Sequence, residues 1–394
     1  MARTAFPPTV AVFSGGGTGG HLYPALALAD ALSKLRPDLR LFFVGARQGV
    51  EARILPDRGI DHLLLPVRGF RRGRILENLG VLWALVRSLV ITGQLFSRLR
   101  PGIVVVTGGY ASGPAGLMAG MMGIPLALQE QNALPGFTAR ILSRWSRQVH
   151  LAFPEARDLL PAAARPRVRL SGNPVREVVA TAMGESKAHF GLDAGARVVL
   201  VVGGSQGAEA INHAVLDVVR GVEAGELGRP EDVTLLWATG PKNLDHVRDR
   251  LDGLGNPAWV HLLGYIEEMP HALTTATLAV SRAGAMATSE FLAWGVPAVL
   301  VPLPTSAADH QSRNAESLAG AGAAVHLPET QLSGGTLWDA VTSLLSTPEV
   351  LDGMREVALK AGRPKATREI AERLETLLPR PPMAASQGLE GRAP

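Results

Sequence analysis

The chain has 394 residues, of which 46% are hydrophobic and 19% charged, and it contains no cysteine. That supplies enough apolar material for two cores of ordinary domain size and excludes a disulfide framework or a cysteine-ligated metal site. The formal net charge of +4 suits nucleic acid, anionic lipid or a phosphorylated substrate alike and selects none of them.

In chain order, residues 1–8 lack the apolar run of a signal peptide, which predicts a cytoplasmic location. A strand over 9–13 closes in Ser14-Gly15-Gly16-Gly17-Thr18-Gly19-Gly20-His21, and a helical pattern follows over 25–35. Glycines there permit tight positive-φ turns and let backbone N–H groups approach an anion, as in a phosphate-binding loop. Gly15, Gly17 and Gly20 also satisfy G-x-G-x-x-G, but a dinucleotide site requires an acidic residue after the second strand. That strand, over 39–44, ends instead in Gly45-Ala46-Arg47, which leaves only an NADP reading open. Thr18 and His21 beside the turn suit a site that holds and deprotonates a sugar hydroxyl. Simple helix capping is the alternative.

Arg68, Arg71, Arg72 and Arg74 precede a helix whose Leu76, Leu79, Trp83, Val86 and Val90 share one face, with Leu82 alongside. A basic cluster next to an apolar face suits reversible attachment to anionic lipid, and an ordinary core face with a solvated loop is the competing reading. Residues 101–129 carry no charge, yet Gly108-Gly109, Gly113-Pro114 and Gly123-Ile124-Pro125 divide them into strand, loop, short helix and strand rather than a membrane span.

A boundary is expected near Gly172, after which the pattern restarts with a strand over 198–202. A second glycine turn, Gly203-Gly204-Ser205-Gln206-Gly207, leads into a helix over 208–219. Strands over 235–238, 279–281 and 298–301 follow, with a helix over 288–294. The turn Arg282-Ala283-Gly284-Ala285 opens that last helix as a diphosphate seat, and Glu290 within it suits the two hydroxyls of a ribose. A polar helix start at Asp309-His310-Gln311 suits sugar hydroxyls. Apolar residues at helical spacing over 367–378 precede an aperiodic end. Alternating strands and helices specify an α/β fold in both halves: residues 1–172, residues 173–363, a helix of about 364–379 packing back on the first half, and a disordered tail over 380–394.

Seven of these motifs, in order, resemble the MurG family of bacterial cell-wall N-acetylglucosaminyltransferases. They are Gly16-Gly17-Thr18-Gly19-Gly20-His21, Gly108-Gly109-Tyr110-Ala111-Ser112-Gly113-Pro114, Glu130-Gln131-Asn132, Gly172-Asn173-Pro174-Val175-Arg176, the second glycine turn, Arg282 to Ala285 with Glu290, and Asp309 to Ala315. The resemblance implies a GT-B fold, two Rossmann-like doubly wound domains facing a cleft. It implies inverting transfer of N-acetylglucosamine from UDP-N-acetylglucosamine to the C4 hydroxyl of undecaprenyl-pyrophosphoryl-MurNAc-pentapeptide (lipid I). A GT-B transferase acting on another lipid such as diacylglycerol is the runner-up.

Carried over by residue, the donor contacts are Thr18, Gly19, Gly20, Asn132, Arg176, Ser205, Ile266, Ala285, Met286, Ala287, Thr288, Ser289, Glu290 and Gln311. In this reading the Ile266 backbone reads the uracil edge, Glu290 the ribose and Gln311 the sugar, while Ser205 and the 285–288 turn hold the diphosphate. Gln129, Ala283 and Ala287 depart from the family pattern, and at Ala287 the backbone N–H must replace a hydroxyl. His21 is the better base by residue type, and Glu130 remains its competitor. No Asp-x-Asp element occurs, so neither an obligatory metal nor another cofactor is expected. The acceptor implies the cytoplasmic face of a membrane with anionic lipids, reached through Arg71, Arg72, Arg74, Leu76, Leu79 and Trp83. No nucleic-acid partner is expected, and other cell-wall synthesis proteins are candidate partners.

Overall fold

The computed structural model describes residues 9–69, 75–178, 181–204, 206–306 and 309–380, with backbone alone for 75–79. Arg71, Arg72, Arg74, Ser205, the side chains of Leu76 and Leu79, and the tail from 381 onward therefore lie outside the described residues.

The first half carries strands β1 (Val10–Ser14), β2 (Arg40–Ala46), β3 (His62–Leu65), β4 (Ile103–Val106), β5 (Leu126–Glu130), β6 (Gln148–Leu151) and β7 (Val168–Leu170). Its helices are α1 (Gly19–Leu35), α2 (Glu51–Asp57), α3 (Ile75–Leu99), α4 (Gly113–Met121) and α5 (Phe137–Leu142). The strands form one parallel sheet in the order β3-β2-β1-β4-β5-β6-β7. Strands such as Ile103-Val104-Val105-Val106 are buried at every position, as parallel strands covered on both faces must be.

The second half repeats the scheme. Strands β8 (Arg197–Val202), β9 (Val233–Ala238), β10 (Val260–Leu263), β11 (Ala276–Ser281), β12 (Ala298–Leu300) and β13 (Ala324–His326) lie in the order β10-β9-β8-β11-β12-β13. Before, between and after them come α6 (Met183–His189), α7 (Glu209–Glu223), α8 (Leu244–Asp252), α9 (Met269–Thr275), α10 (Ala285–Trp294), α11 (His310–Ala321), α12 (Gly334–Leu345), α13 (Pro348–Ala361) and α14 (Ala366–Glu375). The chain then crosses back: Ile370, Ala371 and Leu374 of α14 are buried with Leu22, Leu26, Leu28 and Leu32 in one core cluster of the first half.

In each sheet the connections reverse direction beside the first strand of the half, between β1 and β4 and between β8 and β11. At such a switch point the chain leaves neighbouring strands in opposite directions and opens a crevice beyond their carboxyl ends. Both glycine turns and both of their partner motifs, at 107–110 and 281–284, sit there. The sheet order therefore puts every polar motif of the sequence at one edge of its half.

Predicted and observed elements differ mainly at helix starts. The helix whose pattern runs over 25–35 begins at Gly19, with Pro24 accommodated inside it. Its missing N–H falls opposite the carbonyl of Gly20, which is exposed. Consequently His21 and Tyr23 belong to the first turns of α1.

One buried group carries a pH dependence. His150 on β6 is 1% exposed, with Nδ1 2.8 Å from Ser171 Oγ and Nε2 3.1 Å from Gln148 Oε1. A neutral ring donates through Nε2 to Gln148 and accepts the Ser171 hydroxyl through Nδ1, so both atoms are satisfied without a second proton. Burial foremost, with Arg373 and Arg169 nearby, lowers its pKa to about 4. Because the folded pKa lies below the unfolded one, the unfolded chain takes the proton first, and stability falls as pH drops from about 6.5 toward 4, by roughly 3 kcal/mol at saturation. Urea unfolding midpoints measured from pH 7 to pH 4 are expected to fall less steeply in His150→Gln than in the parent.

Candidate active site

Beyond β1 the chain turns through Gly15–Gly17, with Gly17 at φ +86°. The carboxylate of Glu51, fully buried at the start of α2, accepts the Gly17 N–H at 2.9 and 3.1 Å and the Ala46 N–H at 2.8 Å. A Cβ added at Gly16, Gly45 or Gly49 would run into that side chain. The part of the first turn that looked like an open phosphate seat thus already holds an anion, the protein's own.

Thr18 follows as the N-cap residue of α1, in extended backbone, and its side chain makes no capping hydrogen bond. The first amides of α1, on Gly19 and Gly20, are likewise uncapped by any side chain, and Thr18 and Gly20 are exposed. Capping therefore does not explain Thr18. The His21 ring lies along Gly108 and Gly109 (φ +94° and +76°), where an added Cβ would stand 3.0 Å from its Nδ1 and its Cδ2 respectively. Its Nδ1 is 2.9 Å from Gln131 Oε1 and 3.1 Å from the Thr107 carbonyl. Both partners are acceptors, so Nδ1 carries the hydrogen and Nε2 keeps its lone pair.

Glu130, at the end of β5, is 2% exposed. Its Oε1 accepts from Asn132 N (3.1 Å) and Nδ2 (3.2 Å), and its Oε2 accepts from Gly136 N (3.0 Å). Both oxygens hold the 130–136 loop in shape. That loop meets α11, where Asn314 accepts the Ala133 N–H (3.1 Å) and donates to Asn132 Oδ1 (3.3 Å) and the Ala283 carbonyl (3.1 Å). Asn132 is thereby committed to the seam between the halves. His310, the first residue of α11, has a buried Nδ1 without a hydrogen-bond partner among the described residues. Burial holds its imidazole below the usual range, nearby Glu130 pulls the other way, and His21 adds to the lowering.

In the second half a cavity of about 620 Å³ is lined by Gly203, Gly204, Gly207, Ser281, Arg282, Gly284, Ala287, Leu303 and Gln311, with other residues of the same turns. Its floor is the start of α10, which has no side-chain cap. Thr288 N–H is bonded to the Gly284 carbonyl, which leaves the amides of Ala285, Met286 and Ala287 as the orphan donors of the first turn. With the helix dipole they make an anion seat. The Thr288 hydroxyl is not part of it, because it donates to the Gly284 and Ala285 carbonyls at 3.1 Å in a fully buried position. Ser289 Oγ is turned to the seam and accepts from Asn173 Nδ2 at 2.9 Å.

Glu290 is paired through Oε1 with Arg176 Nη1 at 2.6 Å, and its Oε2 has no protein hydrogen bond among the described residues. Burial pushes the Glu290 carboxyl up, and the Arg176 guanidinium opposes the shift. Gln311 accepts the Leu303 N–H through Oε1 at 3.0 Å. Ile266 is 2% exposed, so its side chain offers a ligand no surface. The predicted site residues among those described therefore form two walls. Thr18, Gly19, Gly20 and His21 stand at the switch point of the first sheet. The 285–287 amides, Glu290 and Gln311 stand around that of the second.

Sequence reasoning missed the residues that hold this arrangement. Gln131, Asn173 and Asn314 lie inside recognised motifs, yet nothing in their spacing shows that they face one another. Glu51 had a fainter signal, three glycines at 16, 45 and 49 that its carboxylate requires.

Comparisons with known proteins agree with this geometry. Residues 11–151 match the glycosyltransferase family 28 N-terminal domain and residues 198–373 its C-terminal domain. A relative from Moorella thermoacetica is 39% identical over 366 residues, covering 92% of this chain and 97% of its own. One from Salinibacter ruber is 40% identical over 358 residues, covering 91% and 94%. Both are named UDP-N-acetylglucosamine–N-acetylmuramyl-(pentapeptide) pyrophosphoryl-undecaprenol N-acetylglucosamine transferase. The crystal structure of Acinetobacter baumannii MurG superposes with a TM-score of 0.73 at 27% identity, covering 94% of this chain and 100% of that one.

The Glu51 contacts can be tested by stability. Glu51→Ala leaves the buried Ala46 amide and the half-buried Gly17 amide without their acceptor and is expected to cost roughly 2–3 kcal/mol, with Glu51→Gln recovering part through its single acceptor oxygen. Denaturant unfolding of the three proteins checks the order.

Proposed function

The chain belongs to glycosyltransferase family 28, in its MurG lineage, and from that membership we infer that it transfers N-acetylglucosamine from UDP-N-acetylglucosamine to undecaprenyl-pyrophosphoryl-MurNAc-pentapeptide, in peptidoglycan synthesis. The observation that carries the mechanism is the pair of acceptors facing His21 Nδ1, which call for the ring hydrogen there and leave Nε2 with a lone pair and no protein hydrogen bond among the described residues. In this reading the acceptor C4 hydroxyl loses its proton to His21 Nε2 as its oxygen attacks the anomeric carbon. The bond from that carbon to the diphosphate breaks on the opposite face, UDP departs with the electron pair, and the configuration inverts.

Charge on the leaving diphosphate is assigned to the Ala285, Met286 and Ala287 amides and to Arg176. Ser205 joins them in this reading, on sequence resemblance alone. The free Oε2 of Glu290 suits a ribose hydroxyl, the Ile266 backbone the uracil edge, and Gln311 the transferred sugar. Thr18, Gly19 and Gly20 present the sugar edge of the other wall. Thr288 and Asn132 support the site through the backbone and the seam. Glu130 ranks below His21 as the base because both its oxygens are engaged by loop N–H groups. No metal or other cofactor enters this mechanism.

A lipid-linked acceptor calls for a membrane face, and α3 supports one. Val81, Ser88, Thr92 and Phe96 are buried, whereas Leu82, Trp83, Val86 and Val90 are exposed, Trp83 by 71%. Residues 80–99 are long and apolar enough to span a bilayer by length and composition, but one side of the helix is docked on the sheet through Phe96. Surface attachment therefore fits better than insertion. Val90 shares a groove with Met121 of α4, so the apolar strip continues onto a second helix, and exposed Arg87 and Arg98 flank it. Arg71, Arg72 and Arg74 enter this proposal from the sequence, as do Leu76 and Leu79. The membrane is the cytoplasmic face of the cell membrane in this reading.

Steady-state kinetics with a soluble lipid I analogue separate the two walls. His21→Ala is expected to lower kcat by about 10²–10⁴-fold with donor KM little changed, and His21→Gln not to restore it. Glu290→Ala is expected chiefly to raise donor KM, by about tenfold or more for a lost charge-assisted bond. Near-normal turnover in His21→Gln would make that residue a positioning group.

For the membrane face, co-sedimentation with vesicles containing anionic lipid is expected to weaken roughly a hundredfold when Arg71, Arg72 and Arg74 are replaced by Glu. The pair Trp83→Ser and Val86→Ser should weaken it on neutral vesicles as well. Binding unaffected by either set would remove this surface from the proposal.

A further inference from the structure

The hydrogen bond on His21 Nδ1 is the end of a longer chain. Gln131 Nε2 donates to the Thr107 carbonyl at 2.8 Å, to the Gln129 carbonyl at 3.2 Å and, closest of all, to Gln129 Oε1. With oxygen acceptors on every side of its nitrogen, the Gln131 carboxamide can present only Oε1 to His21. Gln129 Nε2 in turn donates to Asn173 Oδ1 at 2.9 Å and to the Glu130 carbonyl at 3.3 Å. Asn173 Nδ2 donates across the seam to the Ala285 carbonyl at 3.1 Å and Ser289 Oγ at 2.9 Å, and also to the Gln131 carbonyl at 3.0 Å. Gln129, Gln131 and Asn173 are each about 1% exposed.

Every donor in this series points the same way, from His21 through Gln131, Gln129 and Asn173 to the first turns of α10. Reversing any one carboxamide would set N–H against N–H or oxygen against oxygen at a buried contact, at a cost of about 1–3 kcal/mol for each group left unpaired. We propose that Gln131 is a positioning residue that fixes His21 with its hydrogen on Nδ1, and that Gln129 and Asn173 lock Gln131 from the donor-side helix. This rests on His21 being the base: the chain of amides keeps Nε2 unprotonated and aimed at the acceptor, and ties that state to the helix that receives the leaving diphosphate.

The other titratable groups around His21 are few. His310 on α11 is near enough for its charge to interact with those of His21 and Glu130. On the side of the first turn lie Tyr110, whose hydroxyl is raised by burial and by the Glu51 carboxylate, and Glu51 itself. None of them contacts Nδ1, so a change at Gln131 is read at His21 directly.

The test uses the full-length enzyme with ¹⁵N-labelled histidine, the His21 ring signals being assigned by their loss in His21→Ala. In the parent, His21 is expected as the Nδ1–H tautomer above its pKa. Gln131→Glu places a carboxylate on that hydrogen, stabilises the imidazolium, and is expected to move both the ring titration and the acidic limb of kcat upward by about one pH unit or more. Gln129→Leu removes one of the three acceptors of the Gln131 NH₂ and leaves the Thr107 and Gln129 carbonyls, so the grip on His21 loosens without reversing: the Nδ1–H tautomer is expected to persist and kcat to fall about threefold to tenfold with donor KM within about twofold. Gln129→His, which keeps one donor and one acceptor in the chain, is expected to restore kcat.

Should Gln131→Glu not fold, the two Gln129 variants carry the same test. A kcat unchanged in Gln129→Leu, or a ring titration unchanged in folded Gln131→Glu, would overturn the proposal. Ring signals that move while the kcat limb stays in place would uphold the amide chain and refute His21 as the base.

Discussion

Asn173 is buried to within 1% of its surface at the place where two sheets meet, and a carboxamide so placed has to find partners for both of its ends. It finds them on both sides of the seam: Gln129 and the Gln131 carbonyl in the first half, Ser289 and the Ala285 carbonyl in the second. Moving one half against the other would strip those bonds in a region that water does not reach. Asn314 imposes the same condition a short distance away through Ala133, Asn132 and the Ala283 carbonyl. The relative position of the two walls is thus set by polar groups that tolerate no slack, and an apolar seam would have fixed it less sharply.

The same demand for partners explains why two turns of similar composition do different work. After β1, the amides of the glycine turn are met by Glu51, so the turn is a rigid support for His21 and its exposed edge is Thr18 to Gly20. After β11, no side chain caps α10, and its first amides stay open to a cavity. Glycine content marks backbone that can approach an anion. Which anion arrives, a side chain or a substrate, depends on whether another element brings a carboxylate to that spot.

The family reaction joins a water-soluble donor to a lipid-linked acceptor, and the fold divides those needs between its halves. The second half supplies the open helix start and the Arg176–Glu290 pair. The first supplies the imidazole and also, on α3, an apolar helix face with no covering element among the described residues. In the proposed reading, this strip lies on the same half as His21, so acceptor chemistry and acceptor delivery would share one sheet.

The sequence by itself determined the fold class, the two halves, the motifs that meet at the cleft and the family. Strand composition, glycine turns and the order of motifs are local properties, legible residue by residue. Strand ends were legible to within a few positions, whereas the pattern marked α1 only from Ala25, because the helix opens on two glycines that carry no apolar periodicity. Only the tertiary structure decided which side chains touch. Glu51 reaches the first turn across 34 residues, Gln131 reaches His21 across 110, and Asn173 reaches Ser289 across 116. No periodicity or spacing encodes such contacts, because they are set by sheet order and by the packing of one half on the other. Hence the sequence could name His21 and Glu130 as rival bases. The choice between them rests on hydrogen-bond partners, and those exist only once the chain has folded.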